Sequence, residues 1–206
     1  NTNIVIESGP LVAPPTPDLA PVSDIGLRTF DGINATMAEV TGIPVSDTNV
    51  RNTYATIRQS LPAVPSLETF LSSHEVGIAQ LAIEYCNALI ENTARRNAYF
   101  PGFNFAAIPS IAFAGNNRDQ IINPLVKRMI GVDSALQIAT QPDWAAVRDE
   151  LGYVDERPTT DHVNLIDRLI ERDDSSPART ADITKAVCAA TLGNGALLIR
   201  SPREGI

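Results

Sequence analysis

Residues Ser72 to Thr93 read SSHEVGIAQLAIEYCNALIENT. Val76, Ala79, Ile83, Cys86 and Ile90 recur at helical spacing, and Ile78, Leu81, Ala82, Ala88 and Leu89 widen that stripe. Gln80, Glu84, Asn87 and Glu91 leave only a narrow polar seam. A helix that is apolar around most of its circumference sits at the centre of a bundle. The stretch therefore predicts an all-α fold built around itself.

The flanking sequence keeps the same period. In SDIGLRTFDGINATMAEVTG, Ser23 or Asp24 is the expected cap, Phe30, Ile33, Met37 and Val40 follow at helical spacing, and Gly42 stops the helix. SDTNVRNTYATIRQSLP sets Val50, Tyr54, Ile57 and Leu61 on one face before Pro62. A short helix is expected from Leu67 to Ser72. After the central stretch, ARRNAYF reads as helix, and PGFNFAAIPSIAFAGNN as an aromatic connection punctuated by Pro and Gly. Helices resume at RDQIINPLVKRMIG with Pro124 near the start, at TQPDWAAVRDELG behind Pro142, and at TTDHVNLIDRLIER with Val163, Ile166, Leu169 and Ile170 on one side. In SSPARTADITKAVCAATLG, Ser176 is the expected cap, Pro177 opens the helix, and Ile183, Val187 and Leu192 face inward before Gly193 and Gly195. The expectation is a bundle of seven to eight helices with no sheet, forming one domain over residues 23–206.

Residues 1–22 differ. Ile4, Val5 and Ile6 make a short β-prone run, and GPLVAPPTPDLAPV, residues 9–22, holds five prolines. Proline cannot donate to a ladder or sit inside a helix, so this is an extended arm without a core of its own. Two readings stand: a loose terminus, or a segment that docks on a neighbour by strand addition. In the second, Ile4, Val5, Ile6, Leu11 and Val12 form the subunit contact. The chain opens NTNIVIES with neither an initiator Met nor a charged-then-apolar leader, as expected of a processed chain or of a piece of a longer one.

The totals narrow the class. The chain has 206 residues, 44% apolar and 19% charged, a globular balance. Aromatics are only 5%, so aliphatic side chains must fill most of the core. A net charge of −8 argues against nucleic acid or an anionic membrane as partner. The apolar runs fall short of the ~18–20 residues of a membrane span, so no membrane insertion is expected.

Cys86 and Cys188 each lie mid-helix in apolar context, AIEYCNAL and KAVCAATL, with no C-x-x-C pattern for zinc or redox exchange. They are either two buried thiols or a disulfide stapling the two most apolar helices. Export favours the disulfide and a reducing cytosol favours thiols.

Two segments carry a resemblance. LRTFDGINATMAEVTGIPVSDTNVRNTYATIRQSLP with FLSSHEVGIAQLAIEYCNALI resembles the start of a helical domain found in exported bacterial proteins, often beside LamG-like jelly-roll domains. PARTADITKAVCAATLGNGALLIRS is similar to its last helix. The resemblance covers residues 23–200 and implies export, a cell-surface or extracellular setting and a helical fold. It brings no activity and no catalytic residues.

Searching for chemistry yields little. His74-Glu75 starts like H-E-x-x-H, but Ile78 stands at the last position. A zinc site needs about three protein ligands, and His162 is remote in sequence. Asp155-Glu156 and Asp173-Asp174 read as solvated loop charges, and ERDDSS lacks the alternating spacing of a calcium loop. The sequon Asn34-Ala35-Thr36 falls inside a predicted helix. No enzyme activity, metal or cofactor is expected. The leading reading is an exported structural protein of an extracellular or cell-surface assembly, such as a filament, that self-associates through its arm, or that meets a neighbouring surface protein. The alternative is a ligand- or carbohydrate-binding module lined by Tyr99, Phe100, Phe103, Phe105, Phe113 and Trp144.

Overall fold

The computed structural model describes residues 26–60, 72–128, 144–152, 164–193 and 199–200. Among them the fold is all-α, with nine α-helices, one a single turn. The first, α1 (Phe30–Thr41), starts later than Ser23 or Asp24 predicts: Thr29 is its cap, accepting from the Gly32 N–H at 3.1 Å. The reason lies just upstream. Gly26–Leu27 (β1) pairs antiparallel with Ile199–Arg200 (β2), so the backbone before Thr29 is extended. This two-residue ladder is the one departure from the sheet-free expectation. Gly42 closes α1 in the left-handed region at φ 71°.

Helix α2 (Thr48–Ser60) runs antiparallel to α1. The rings of Phe30 and Tyr54 stack at 5.2 Å, and the Tyr54 hydroxyl donates to Asp31. Val50 and Ile57 are buried as expected. Leu61, Pro62 and residues 67–71 of the short helix expected from Leu67 to Ser72 lie outside the described residues, and Ser72 opens the next helix.

Helix α3 (Ser72–Glu91) is central, packing on α1, α2 and, most extensively, on α9 (Pro177–Leu192). Its inward face is Ile78, Leu81, Ala82, Tyr85, Cys86, Leu89 and Ile90. That corrects the predicted stripe: Val76 and Ile83 are 56% and 50% exposed, and Ala79 is exposed too. The shift follows from the partners. Gly77 faces α2 so closely that a Cβ there would lie 2.6 Å from Ile57 Cγ2, and Ile78 beside it is buried, while Val76 and Ile83, seven residues apart, share the neighbouring open face. Cys86 meets Cys188, and Glu91 meets Lys185 at 3.3 Å, so α9 runs antiparallel to α3. Ile183, Val187 and Leu192 point inward as predicted, while Ser176 takes the cap position without a side-chain bond.

The remaining helices are α4 (Thr93–Tyr99), the single turn α5 (Pro109–Ala112), α6 (Asp119–Val126), α7 (Trp144–Leu151) and α8 (Leu165–Arg172), with a 3-10 turn at Gly115–Arg118. Pro124 lies inside α6, which ends two residues later. The aromatic connection is thus partly helical. Arg118, 8% exposed, ties three segments: it donates to the carbonyls of Phe113 and Gly152, each at 3.0 Å, and to Asp167 Oδ1 at 2.9 Å. All the buried apolar residues form one cluster.

This arrangement has two ends. The starts of α1 and α3, the end of α2 and the end of α9 gather at the end where β1 lies. The α1–α2 turn, α4, the aromatic segment and the start of α9 gather at the other: Tyr99 donates to the Val40 carbonyl at 2.9 Å and Thr180 to the Ala107 carbonyl at 2.7 Å.

Candidate functional site

The two cysteines come together as a disulfide, with Cα atoms 5.9 Å apart and both residues 0% exposed. It closes a sequence separation of 102 residues, for which chain entropy alone stabilises by about 4.7 kcal/mol. Full burial keeps thiols and thiolates in solution away from either sulfur, so the bond serves architecture rather than exchange.

The aromatic connection is interior. Tyr99, Phe100, Phe103, Phe105 and Phe113 are between 0% and 8% exposed. Phe103 meets Phe105 edge-on at 4.8 Å and Phe113 at 5.1 Å. A saccharide platform needs an open ring face, and these five rings offer none; they complete the core at the end where α4 lies. The Trp144 side chain lies outside the described residues. Two cations cover the outside of the cluster. Arg96 sits over the Phe105 ring at 4.7 Å and Arg128 over the Tyr99 ring at 4.1 Å. Burial pushes the Tyr99 hydroxyl up to about 12, opposed by Arg128.

His74 is half-buried at the start of α3 and Glu75 beside it is exposed. Among the described residues no group of three or more His, Cys, Asp or Glu is placed to hold a metal. His162, Asp155 and Glu156 fall outside those residues. Asp173 and Asp174 are used locally. Asp173 accepts from the Ser175 N–H at 3.0 Å, and its hydrogen bonds to Ser175 hold its carboxyl below the usual range. Asp174 accepts from the Ser110 N–H at 2.7 Å. Together they fix the turn before α9 against α5. Asn34 of the sequon is 8% exposed and accepts from the Tyr85 hydroxyl at 2.7 Å, so its amide is engaged inside the fold.

The other candidate region is surface. Ile4, Val5, Ile6, Leu11 and Val12 lie outside the described residues. The chain bearing them joins the fold at β1. Among the described residues, four large apolar side chains are exposed: Val76 and Ile83 on α3, Val45 in the α1–α2 turn and Ile111 on α5. Val76 stands at the end of α3 nearest β1, Ile83 just past the middle of that helix, and Val45 and Ile111 at the opposite end. An open groove of about 480 Å³ runs between α2 and α3, lined by Asn52, Thr56, Ile57, Gln80, Ile83 and Glu84 among others.

No known protein family, curated protein or solved structure matches this chain.

The sequence reading missed the outward turn of Val76 and Ile83 and the pairing of Arg96 and Arg128 with the aromatic cluster. Gly77, a helix-weakening residue inside a strongly apolar helix, was the available signal for the first.

Proposed function

We propose that this chain is an exported structural protein of the helical-domain type it resembles in sequence. In this reading it is a subunit of an extracellular or cell-surface assembly, joined to its neighbour through residues 1–22. The carrying observation is how the arm meets the domain. The chain enters at one end of the bundle through a ladder only two residues long, and exposed apolar side chains stand at both ends. A strand offered to a neighbour satisfies its ladder bonds there. A head-to-tail contact of that kind extends into a filament when its rotation does not close. The buried disulfide supports an oxidising setting, since structural disulfides persist outside the reducing cytosol.

The test is negative-stain electron microscopy with light scattering on the full chain and on a chain lacking residues 1–22. Arm-dependent oligomers or fibres, with the same far-UV circular dichroism in both chains, are the expected outcome. Monodisperse full-length chain at every concentration sinks the reading.

A further inference from the structure

We infer that the acceptor for the arm of one chain is the cationic lobe that covers the aromatic cluster of the next chain. This inference rests on the assembly reading above.

Charge is the first observation. The chain is acidic overall, at −8, yet its carboxylates are unevenly placed. From Asn92 to Arg118 there is none, while Arg95, Arg96 and Arg118 are present. Arg118 is turned inward and occupied. Arg95 is partly neutralised by Asp47 at 3.5 Å. Arg96 is anchored by one amino nitrogen on the Ile90 carbonyl at 3.5 Å, and its Nε makes no hydrogen bond. Lys127 and Arg128, both exposed, come from the end of α6 to the same cluster through the contact of Arg128 with Tyr99. The Tyr99 and Phe100 rings lie 4.7 Å apart and the Phe100 and Phe105 rings 6.3 Å apart, so Arg96 and Arg128 flank one continuous aromatic group. Packing on rings holds a guanidinium in place and leaves its edge free to bind a carboxylate.

The sequence of the arm is the complement. Residues 1–25 contain Glu7, Asp18 and Asp24 and no Lys or Arg. An acid-only segment is attracted to Arg96, Lys127 and Arg128, whereas Asp47 and Asp174 at the same end are already engaged by Arg95 and the Ser110 N–H, and such complementarity also fixes register.

Position is the second observation. The arm joins the fold at β1, and the lobe lies at the opposite end, separated by the length of α3, about 30 Å for its 20 residues. Donor and acceptor at opposite ends make a heterologous, head-to-tail contact. The exposed side chains Val45 and Ile111 stand at the acceptor's end and give the apolar residues of the arm surface to cover.

The experiment is a charge swap in the full chain, with assembly followed by light scattering and fold by circular dichroism. Glu7→Lys with Asp18→Lys, and separately Lys127→Glu with Arg128→Glu, are each expected to raise the concentration for half-assembly at least tenfold, about the effect of losing one favourable charge pair. Uniting all four changes in one chain is expected to restore assembly to near the unaltered level, which a merely unfolded variant could not do. Assembly of the unaltered chain should also weaken at 1 M salt, where screening shortens to about 3 Å. Arm-dependent assembly that ignores both pairs of changes overturns the lobe as acceptor and leaves the assembly reading standing. A full chain that never assembles overturns both.

Discussion

Two sets of apolar residues on α3 have opposite fates. Leu81, Ala82, Tyr85, Cys86, Leu89 and Ile90 are at most 1% exposed, whereas Val76 and Ile83 on the same helix are half in water. Hydrophobicity is therefore a requirement for the first face and only a permission on the second. What separates them is contact. The first face meets α1 and α9 and carries a covalent bond to α9, while the second borders an open groove beside α2. The comparison also separates roles, since residues that hold the fold are not those free to meet a partner.

The most severe way to break the buried face is to cut its covalent link. Cys86→Ala with Cys188→Ala is expected to cost about 4 kcal/mol in urea unfolding, between the general range for native disulfides and the loop-entropy value. A loss under 1 kcal/mol would mean that the unfolded chain is already compact around these helices.

Next comes Leu81→Ala. Leu81 is 0% exposed, and truncation leaves a cavity that its closely packed neighbours fill only in part. The expected cost is about 3 kcal/mol, measured by the same unfolding curves.

Alkali probes the same face through Tyr85. Burial, with help from negative Asp47, pushes its hydroxyl up to about 12 from the ordinary value of 10.0. The folded chain keeps that proton up to about 12 and the unfolded chain gives it up near 10. Stability from this group is thus complete below pH 10 and is lost as pH rises from 10 through 12, by roughly 2 kcal/mol at pH 11.5. Tyr99, raised for the same main reason, adds a similar loss. Tyr85→Phe should cost about 1 kcal/mol at pH 8 through its lost bond to Asn34 and should flatten the alkaline decline by about half. An unchanged pH slope in that variant would show that Tyr85 titrates normally.

Much of the fold was legible because helices announce themselves locally. Gly42, Pro177 and the apolar period of α9 each carried a signal within a few residues. The cysteines were legible as a pair because each sat mid-helix in apolar sequence. Three features were hidden because they depend on residues distant in sequence. The start of α1 was displaced by a ladder with β2, at the other end of the chain, too short to show a period of its own. The inward face of α3 was set by its partners α1, α2 and α9, among them the close approach of Ile57 to Gly77. The cationic lobe joins Arg96 and Arg128 from different helices through rings between them, and no local pattern links the two. The candidate site was thus the least legible part, since charge complementarity between the arm and this lobe appears only once the two ends of the bundle are known.

The smallest expected effect is the most discriminating. Ile83→Ser replaces a large aliphatic side chain on the central helix, at a position that periodicity assigns to the core. Half-exposed beside the groove, Ile83 buries only about half its side chain, so the cost should stay at about 1 kcal/mol or less, well under that of Leu81→Ala. A loss near that of Leu81→Ala would mean that something covers the groove in solution and counts in the folding free energy. Its dependence on protein concentration would then identify the cover: a neighbouring chain if stability rises with concentration, the same chain if it does not.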